Sequence, residues 1–335
     1  MSQHSMKVCE TTVPGQQNYS GEPFPTILQW ESPQASLADA IGWVQESRDE
    51  LLKRVETSGA ILFRGFALAE PEEFDQFIAA FQLENFPYDR SFSNAVRTNF
   101  TPRVFSANEA PPEVTIYLHH EMAQTPIYPT KLFFCCWQAA AEGGATPLCR
   151  SDILFERIQE SFPQFATDCE NKGLKYTNVM PANDDAASGM GRSWQKTFQV
   201  TGQAQAEARM SALGYSWQWL DDGCLRATTP ILPAVHEISA GRKVFFNQLI
   251  AAFSGWKDSR NDPSKAITFG DQTPLDRDVV MQIVAMAEEL SFDLPWQNGD
   301  VALVDNYLVM HGRRTFKGPR KILASLVSAE EHVYQ

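Results

Sequence analysis

The chain has 335 residues with a formal net charge of −13, and 43% of its residues are hydrophobic. This length allows one large domain or two ordinary ones, with a substantial core. The negative charge argues against binding to nucleic acid or to an anionic membrane surface, because both present phosphates that require a cationic partner. No apolar run approaches the roughly 20 residues that a membrane-spanning helix needs.

The cysteines and the N-terminus indicate the compartment. The six cysteines form no Cys-x-x-Cys pair, which favours buried thiols in a reducing environment. The first 16 residues are polar and contain no apolar signal segment. We therefore expect a cytoplasmic protein.

Hydrophobic periodicity predicts helices and short strands in an order typical of a β-sheet core with additional helices. Residues 1–30 are polar and proline-bearing and are predicted to form a loose arm, before a single domain over residues 31–335. Apolar spacing predicts helices over residues 36–57, 71–81, 151–159, 163–169, 204–213 and 275–290. Strands are predicted over residues 60–66, 114–118, 131–138, 215–220, 233–238, 244–247, 299–306 and 321–327.

This arrangement predicts a mainly β, α+β fold with a sandwich or barrel core, flanking helices and a mid-chain insertion. Residues 84–113 form a long connector rich in Asn, Ser and Pro. Connectors of this length are often lids or pocket walls. Since this one leads directly into the strand before His119, we expect it to border a substrate pocket.

A histidine and a carboxylate stand two residues apart at the end of one predicted strand. His119 and Glu121 would point to the same side of that strand, and His311 is the candidate for a third ligand. Two histidines and one carboxylate form the ligand set of non-haem Fe(II) oxygenases, and also of some catalytic zinc sites. The pair alone is weak evidence, because six histidines and 41 acidic residues produce this spacing by chance.

Several further motifs accompany the pair in a fixed order. They are Leu118-His119-His120-Glu121-Met122-Ala123, Gly143-Gly144-Ala145-Thr146, and Asp305-Asn306 followed by His311-Gly312-Arg313-Arg314-x-Phe316. With these motifs the chain resembles the Fe(II)/2-oxoglutarate-dependent oxygenases of the taurine dioxygenase (TauD/TfdA) and clavaminate synthase-like superfamily. Within that superfamily it looks most similar to hydroxylases of nonribosomal-peptide pathways, such as the syringomycin-pathway aspartyl hydroxylase group.

The resemblance implies a double-stranded β-helix (jelly roll) that binds Fe(II) through His119, Glu121 and His311. It also implies that Thr146 and Arg320 bind the carboxylate of 2-oxoglutarate, with O₂ as the second co-substrate. Arg313 and Arg314 compete with Arg320 for this role. Some family members carry a second arginine four residues after the first, and this chain has Ala324 there.

A glutamate at position 121 favours hydroxylation, because halogenases of the superfamily have a small residue at the carboxylate position. The resemblance implies hydroxylation of an unactivated C–H of an amino acid or related small acid, free or bound to a carrier protein, with 2-oxoglutarate converted to succinate. The role would lie in specialised-metabolite biosynthesis. Desaturation and ring closure within the same family stay open.

Two alternatives of other classes also remain. A zinc hydrolase would leave Thr146 and Arg320 without a role, and the chain has no His-Glu-x-x-His motif. A non-enzymatic jelly-roll protein would use the same polar centre only to orient a ligand.

Substrate-binding residues are less defined by the sequence. The polar candidates near the predicted centre are Asn108, Glu109, Arg192, Asn247 and Arg313. Arg192 or Arg313 can pair with a substrate carboxylate, and Glu109 with an α-amino group. Trp194 is expected to pack in the core.

Overall fold

This computed structural model describes residues 8–32 and 36–331 of the chain. The described residues contain eight α-helices and 21 strands, joined by turns and loops. The helices are α1 (Leu37–Ser58), α2 (Pro71–Ala79), α3 (Ser151–Ser161), α4 (Pro163–Lys172), α5 (Trp194–Phe198), α6 (Gln203–Ala212), α7 (Leu249–Gly255) and α8 (Arg277–Glu289). Of these described helices, none combines the length and the apolar character that a bilayer crossing requires.

Most of the strands are short. They are β1 (Val8–Thr11), β2 (Gln17–Tyr19), β3 (Glu22–Phe24), β4 (Thr26–Trp30), β5 (Ala60–Arg64), β6 (Phe105–Ser106), β7 (Ile116–His119), β8 (Ile127–Gln138), β9 (Glu142–Gly143), β10 (Thr146–Arg150), β11 (Leu174–Met180), β12 (Ser216–Trp219), β13 (Leu225–Thr228), β14 (His236–Ser239), β15 (Arg242–Val244), β16 (Ile267–Phe269), β17 (Phe292–Leu294), β18 (Val301–Asp305), β19 (Val309–Arg313), β20 (Phe316–Lys317) and β21 (Lys321–Glu331).

Two sheets carry the main core. The large sheet has seven strands in the order β1-β4-β5-β18-β8-β21-β6, and the small sheet has four in the order β17-β10-β19-β7. A third sheet, β12-β13-β11-β16, belongs with α5 and α6 to the middle of the chain. The predicted strand-rich core with flanking helices is thus confirmed as a mixed α/β architecture.

The large sheet is buried on both faces, which explains why its strands read as continuous apolar runs. On one face, Phe63, Phe133 and Leu303 pack against α1 and α2. Their neighbours Leu62 and Leu132 point the other way, into a core shared with the small sheet. Successive side chains alternate between the faces of a strand, so a single run supplies both layers.

The small sheet lies between that shared core and a second group of helices. Leu148 and Val309 face the shared core, whereas Leu118, Cys149 and Met310 pack in a separate cluster with α3, α4, α7 and α8. The order of layers is therefore helices, large sheet, shared core, small sheet and helices.

The predicted arm over residues 1–30 is wrong for its described part, which begins at residue 8. Strand β1 pairs with β4, and β4 pairs in parallel with β5, so both belong to the large sheet. Phe24 and Ile27 are completely buried in the shared core. The apolar residues of this segment extend an existing sheet, which its polar composition obscured.

A tight turn joins β18 of the large sheet to β19 of the small sheet. Oδ1 of Asp305 accepts hydrogen bonds from the backbone N–H groups of Tyr307 and Leu308, at 3.0 and 3.1 Å. The side chain is buried, and Lys131 Nζ lies 3.8 Å from its Oδ2. Burial raises the pKa of Asp305 to about 6, although Lys131 opposes the shift.

We expect Asp305→Asn to stabilise the protein more at pH 7.5 than at pH 5. Asparagine keeps the Oδ1 acceptor and removes a buried charge, so the free energy of unfolding should rise by about 2 kcal/mol at pH 7.5. The penalty of the charged form falls as the pH drops from the folded-state pKa of about 6 towards the ordinary value of 3.8, so the gain should be roughly halved at pH 5 and largely vanish only below about pH 4. Urea unfolding at both pH values measures this difference, and an equal effect at both would contradict it.

Candidate metal centre

His119 and His311 are brought together by strand pairing. They are directly opposite residues in the antiparallel pair β7–β19, and their ring centroids are 4.4 Å apart. Glu121 reaches the same place differently from the sequence-based prediction. Strand β7 ends at His119, and Glu121 lies in the following turn, where Met122 adopts a left-handed φ of 60°. The prediction that one strand carries both residues was wrong, but their convergence is observed.

One ligand atom from each of His119, Glu121 and His311 lies within 4.8 Å of the others. Nε2 of His311 is 3.6 Å from Oε2 of Glu121. Nδ1–H of His119 donates to the carbonyl oxygen of Tyr117 at 2.7 Å, which leaves the lone pair on Nε2. These donors can hold one divalent metal ion, and the carbonyl that receives the Nδ1 proton also fixes the orientation of the His119 ring.

Burial and the neighbouring charges set the protonation states of His119 and Glu121 that metal binding requires. Burial, reinforced by His311, lowers the pKa of His119 to about 4, so the imidazole is neutral at physiological pH. Burial alone would raise the pKa of Glu121, but Arg97 and His311 hold it well below its usual range. The site therefore presents a neutral imidazole and an ionised carboxylate without needing to release protons from either.

Asn306 fixes the backbone of Glu121 on both sides. Its Oδ1 accepts from the Glu121 N–H at 2.8 Å, and its Nδ2 donates to the carbonyl oxygens of Glu121 and Pro129 at 3.0 and 2.7 Å. His120 is completely buried, donates from Nδ1 to the Asn306 carbonyl and packs its ring against Phe246. The turn that carries Glu121 is thus anchored to the loop between β18 and β19.

A narrow cavity of about 60 Å³ borders the three ligands and contains Thr146 and Arg320. Nε of Arg320 donates to the Gly144 carbonyl at 2.7 Å, and Nη2 lies 3.4 Å from Oγ1 of Thr146. A Cβ at Gly144 would stand 2.9 Å from Cδ of Arg320, so this glycine permits the approach of the arginine. Burial and nearby Arg313 lower the pKa of Arg320 to about 10, which leaves it charged.

The other two arginines considered for this cavity have different partners. Arg313 lines it, but its guanidinium donates to the backbone carbonyls of Asn108, Ala110 and Pro111 in the connector and of Val114 just after it. Arg314 forms surface ion pairs with Glu288 and Asp293 and does not line the cavity. Arg320 is therefore the cation that faces Thr146.

A second cavity of about 270 Å³ borders two of the three ligands, His119 and Glu121. It is walled by the connector, by residues 187–190 and by the end of α7, which agrees with the expectation that the connector forms a pocket wall. Asn108 lines both cavities, whereas Glu109 is exposed and lines neither. The cluster of His119, Glu121 and His311 thus lies between a narrow cavity and a wider one.

Arg192 and Asn247 are not brought to the centre. Nη1 of Arg192 donates to the backbone carbonyls of Ser91 and Ser93 at 2.8 and 3.1 Å, so it stabilises the backbone of the connector. Asn247 is 1% exposed. Its Nδ2 donates a hydrogen bond to the carbonyl oxygen of Ala234, and its Oδ1 accepts one from the backbone N–H of Leu249. Both side chains are occupied with backbone groups. Trp194 packs in the shared core, as expected.

Arg97 is the residue of this centre that the sequence did not reveal. Its Nη2 lies 3.2 and 3.3 Å from the two carboxylate oxygens of Glu121, and it lines both cavities. Burial opposes its charge, but the Glu121 carboxylate outweighs that effect and raises the pKa of Arg97. Arg97 lies in an irregular connector without a motif, and no periodicity could have placed it beside Glu121.

Comparisons with known proteins agree with this geometry. The model of the family "Taurine catabolism dioxygenase TauD, TfdA family" matches residues 21–326. A clavaminate synthase-like protein of Arabidopsis thaliana is 40% identical over 323 residues, which cover 95% of this chain and 97% of that protein. The dapdiamide synthesis protein DdaC of Enterobacter agglomerans is 29% identical, covering 93% and 95%.

Among solved structures, PvcB of Pseudomonas aeruginosa superposes with a TM-score of 0.54 at 13% identity, covering 98% of this chain and 93% of PvcB. This likeness shows a shared fold. The family match excludes the zinc hydrolase and the non-enzymatic binding protein. The chain therefore belongs to the taurine catabolism dioxygenase TauD, TfdA family and is an Fe(II)- and 2-oxoglutarate-dependent oxygenase that acts on a small molecule.

Proposed function

We propose that this oxygenase hydroxylates an unactivated C–H of an amino acid or related small acid. The observation that carries the proposal is the convergence of His119, Glu121 and His311 between two cavities, one of which holds Thr146 and Arg320. Iron bound there, with 2-oxoglutarate and O₂, supplies the oxidation of a substrate C–H to an alcohol while 2-oxoglutarate becomes succinate and carbon dioxide.

The residues of the cluster suit Fe(II). Two imidazoles and one carboxylate form the facial set that leaves positions open for a bidentate co-substrate and O₂. His119 is held in the required tautomer by the Tyr117 carbonyl, and Glu121 is held through its backbone by Asn306. The chain thereby fixes two ligands before metal arrives, which favours a defined geometry.

Arg320 and Thr146 are the proposed binding site for the distal carboxylate of 2-oxoglutarate. A planar guanidinium can donate two parallel hydrogen bonds to a carboxylate, and the threonine hydroxyl can add a third. Trp296 donates from Nε1 to Oγ1 of Thr146 at 2.9 Å, so the hydroxyl proton remains available to a ligand.

The fold supports the same conclusion. We infer that the seven-stranded and four-stranded sheets are the two halves of a double-stranded β-helix (jelly roll), because their facing sides enclose one core and the metal cluster lies at β7 and β19. The single domain predicted over residues 31–335 is proposed to include strands β1–β4 as well, because β1 and β4 pair within its large sheet.

The relatives support a biosynthetic role. One is named for clavaminate synthase and another for dapdiamide synthesis, and both align over more than nine-tenths of the chain. We therefore place this enzyme in specialised metabolism, acting on an amino acid that is free or bound to a carrier protein. Desaturation and ring closure use the same centre, and product analysis separates them from hydroxylation.

An anaerobic absorbance titration tests the iron and co-substrate sites together. We expect a weak visible charge-transfer band only when both Fe(II) and 2-oxoglutarate are present, because the band requires the two-oxygen chelate on the metal. His119→Ala should abolish iron binding and the band. His236→Ala is the matched control, since His236 lines a different cavity. Protein that binds iron but gives no band with 2-oxoglutarate would contradict the proposed function.

Arg320→Ala should weaken 2-oxoglutarate binding by about 2–4 kcal/mol, or about 30- to 1000-fold in Kd, through the loss of charge-assisted hydrogen bonds. The measurement is the dependence of the same band on 2-oxoglutarate concentration. Arg314→Ala removes a nearby arginine with only surface partners and should leave the Kd unchanged. If Arg320→Ala also left the Kd unchanged, another group would bind the carboxylate.

A further inference from the structure

The guanidinium of Arg97 is a buried cation that faces the wider cavity. Its side chain is 6% exposed and lies over the rings of Tyr88 and Phe105, at 4.9 and 5.3 Å from their centroids. Its hydrogen-bonded carboxylate is Glu121, and its buried Nε has no hydrogen-bond partner. Burying a charged guanidinium costs free energy unless hydrogen-bond acceptors surround it. Arg97 can therefore bind a further acceptor, supplied by a ligand.

The other charged side chains of the wider cavity do not provide that compensation. Besides Arg97 and Glu121, the described lining has Lys257, which is exposed, and Asp258. Asp258 forms an ion pair with Arg260 at 2.7 Å. Once the Glu121 carboxylate is shared with a divalent metal, Arg97 lacks a full countercharge. The cavity then favours a ligand with an anionic group beside Arg97.

Gln124 supplies a second polar atom without a partner in the wall of the same cavity. The side chain is 7% exposed, and its Oε1 is buried without a hydrogen-bond partner. Gln124 also lines a small annex of about 30 Å³, where buried Oγ1 of Thr197 is likewise without a partner. This accessible space exceeds the roughly 10–15 Å³ that one water-sized group needs. It therefore fits a small N–H donor such as an ammonium group.

We propose that Arg97 and Gln124 recognise the two charged ends of an amino-acid substrate. Arg97 binds a free carboxylate through its guanidinium, and Gln124 accepts a hydrogen bond from the protonated amine. This assignment rests on the proposed function, because it takes the wider cavity as the substrate site. It also restricts a carrier-bound substrate, whose thioester carbonyl is uncharged, to one with a second, free carboxylate.

Binding without turnover tests the assignment. The wild-type protein is loaded with Mn(II) and N-oxalylglycine, an unreactive analogue of 2-oxoglutarate, and titrated calorimetrically with three matched sets of probes. These are the proteinogenic L-amino acids, their α-carboxamides and their des-amino acids. We expect at least one amino acid to bind, with its carboxamide at least 30-fold weaker and its des-amino acid about tenfold weaker. Equal binding of acid and amide, or no binding by any probe, would overturn the proposal.

Variants separate recognition of substrate from support of Glu121. At Fe(II) and N-oxalylglycine concentrations that saturate the variant, Arg97→Gln should lose at least 30-fold affinity for the amino acid and lose the preference for the acid over the amide. Arg97→Lys should recover part of the loss, since it restores the charge but not the two-pronged geometry. Gln124→Met should remove the preference for the amino acid over its des-amino acid. It should leave the preference for the amino acid over its α-carboxamide unchanged.

The opposite pattern would assign Arg97 a different role. If Arg97→Gln weakens iron binding and leaves the ratio of acid to amide affinities unchanged, Arg97 only orients Glu121, and the proposal is wrong. Absence of the band in the wild-type protein is a separate result, which contradicts the proposed function itself.

Discussion

The pairing of β7 with β19 is the constraint on which the centre depends. It places His119 opposite His311 and brings the centroids of their rings to 4.4 Å from each other. The pairing is stable because the small sheet is packed on both sides, by Leu148 and Val309 within the shared core and by Met310 among the helices. Hydrophobic burial in two layers thus fixes the position of two polar rings.

The third member of the cluster depends on polar contacts. Glu121 follows the end of β7, and its backbone is held by Asn306, which lies just after β18 of the large sheet. The two sheets therefore both contribute to the centre, one through the strand pair and the other through this asparagine. A shift between the sheets would move Glu121 relative to the histidines, so the packing of the shared core bears directly on metal geometry.

Sequence reasoning found the residues that repeat a pattern and missed those that depend on a tertiary position. The spacing of His119 and Glu121 suggested a common centre, and the accompanying motifs, through the family resemblance, assigned His311 to it. The left-handed turn at Met122 was not predictable, because the two-residue period of a strand gives no sign of where that strand ends. Arg97 was missed for a related reason, since its role arises only when the connector folds back over Glu121.

The connector also shows why polar residue type alone gave poor substrate predictions. It has little regular structure, so its backbone carbonyls need donors from elsewhere. Arg313 and Arg192 provide them, each with several hydrogen bonds to carbonyl oxygens of this segment. Their charge is therefore used to hold the pocket wall. Of these three arginines, Arg97 is the one that lines the wider cavity, and its partner is a carboxylate that a metal would share.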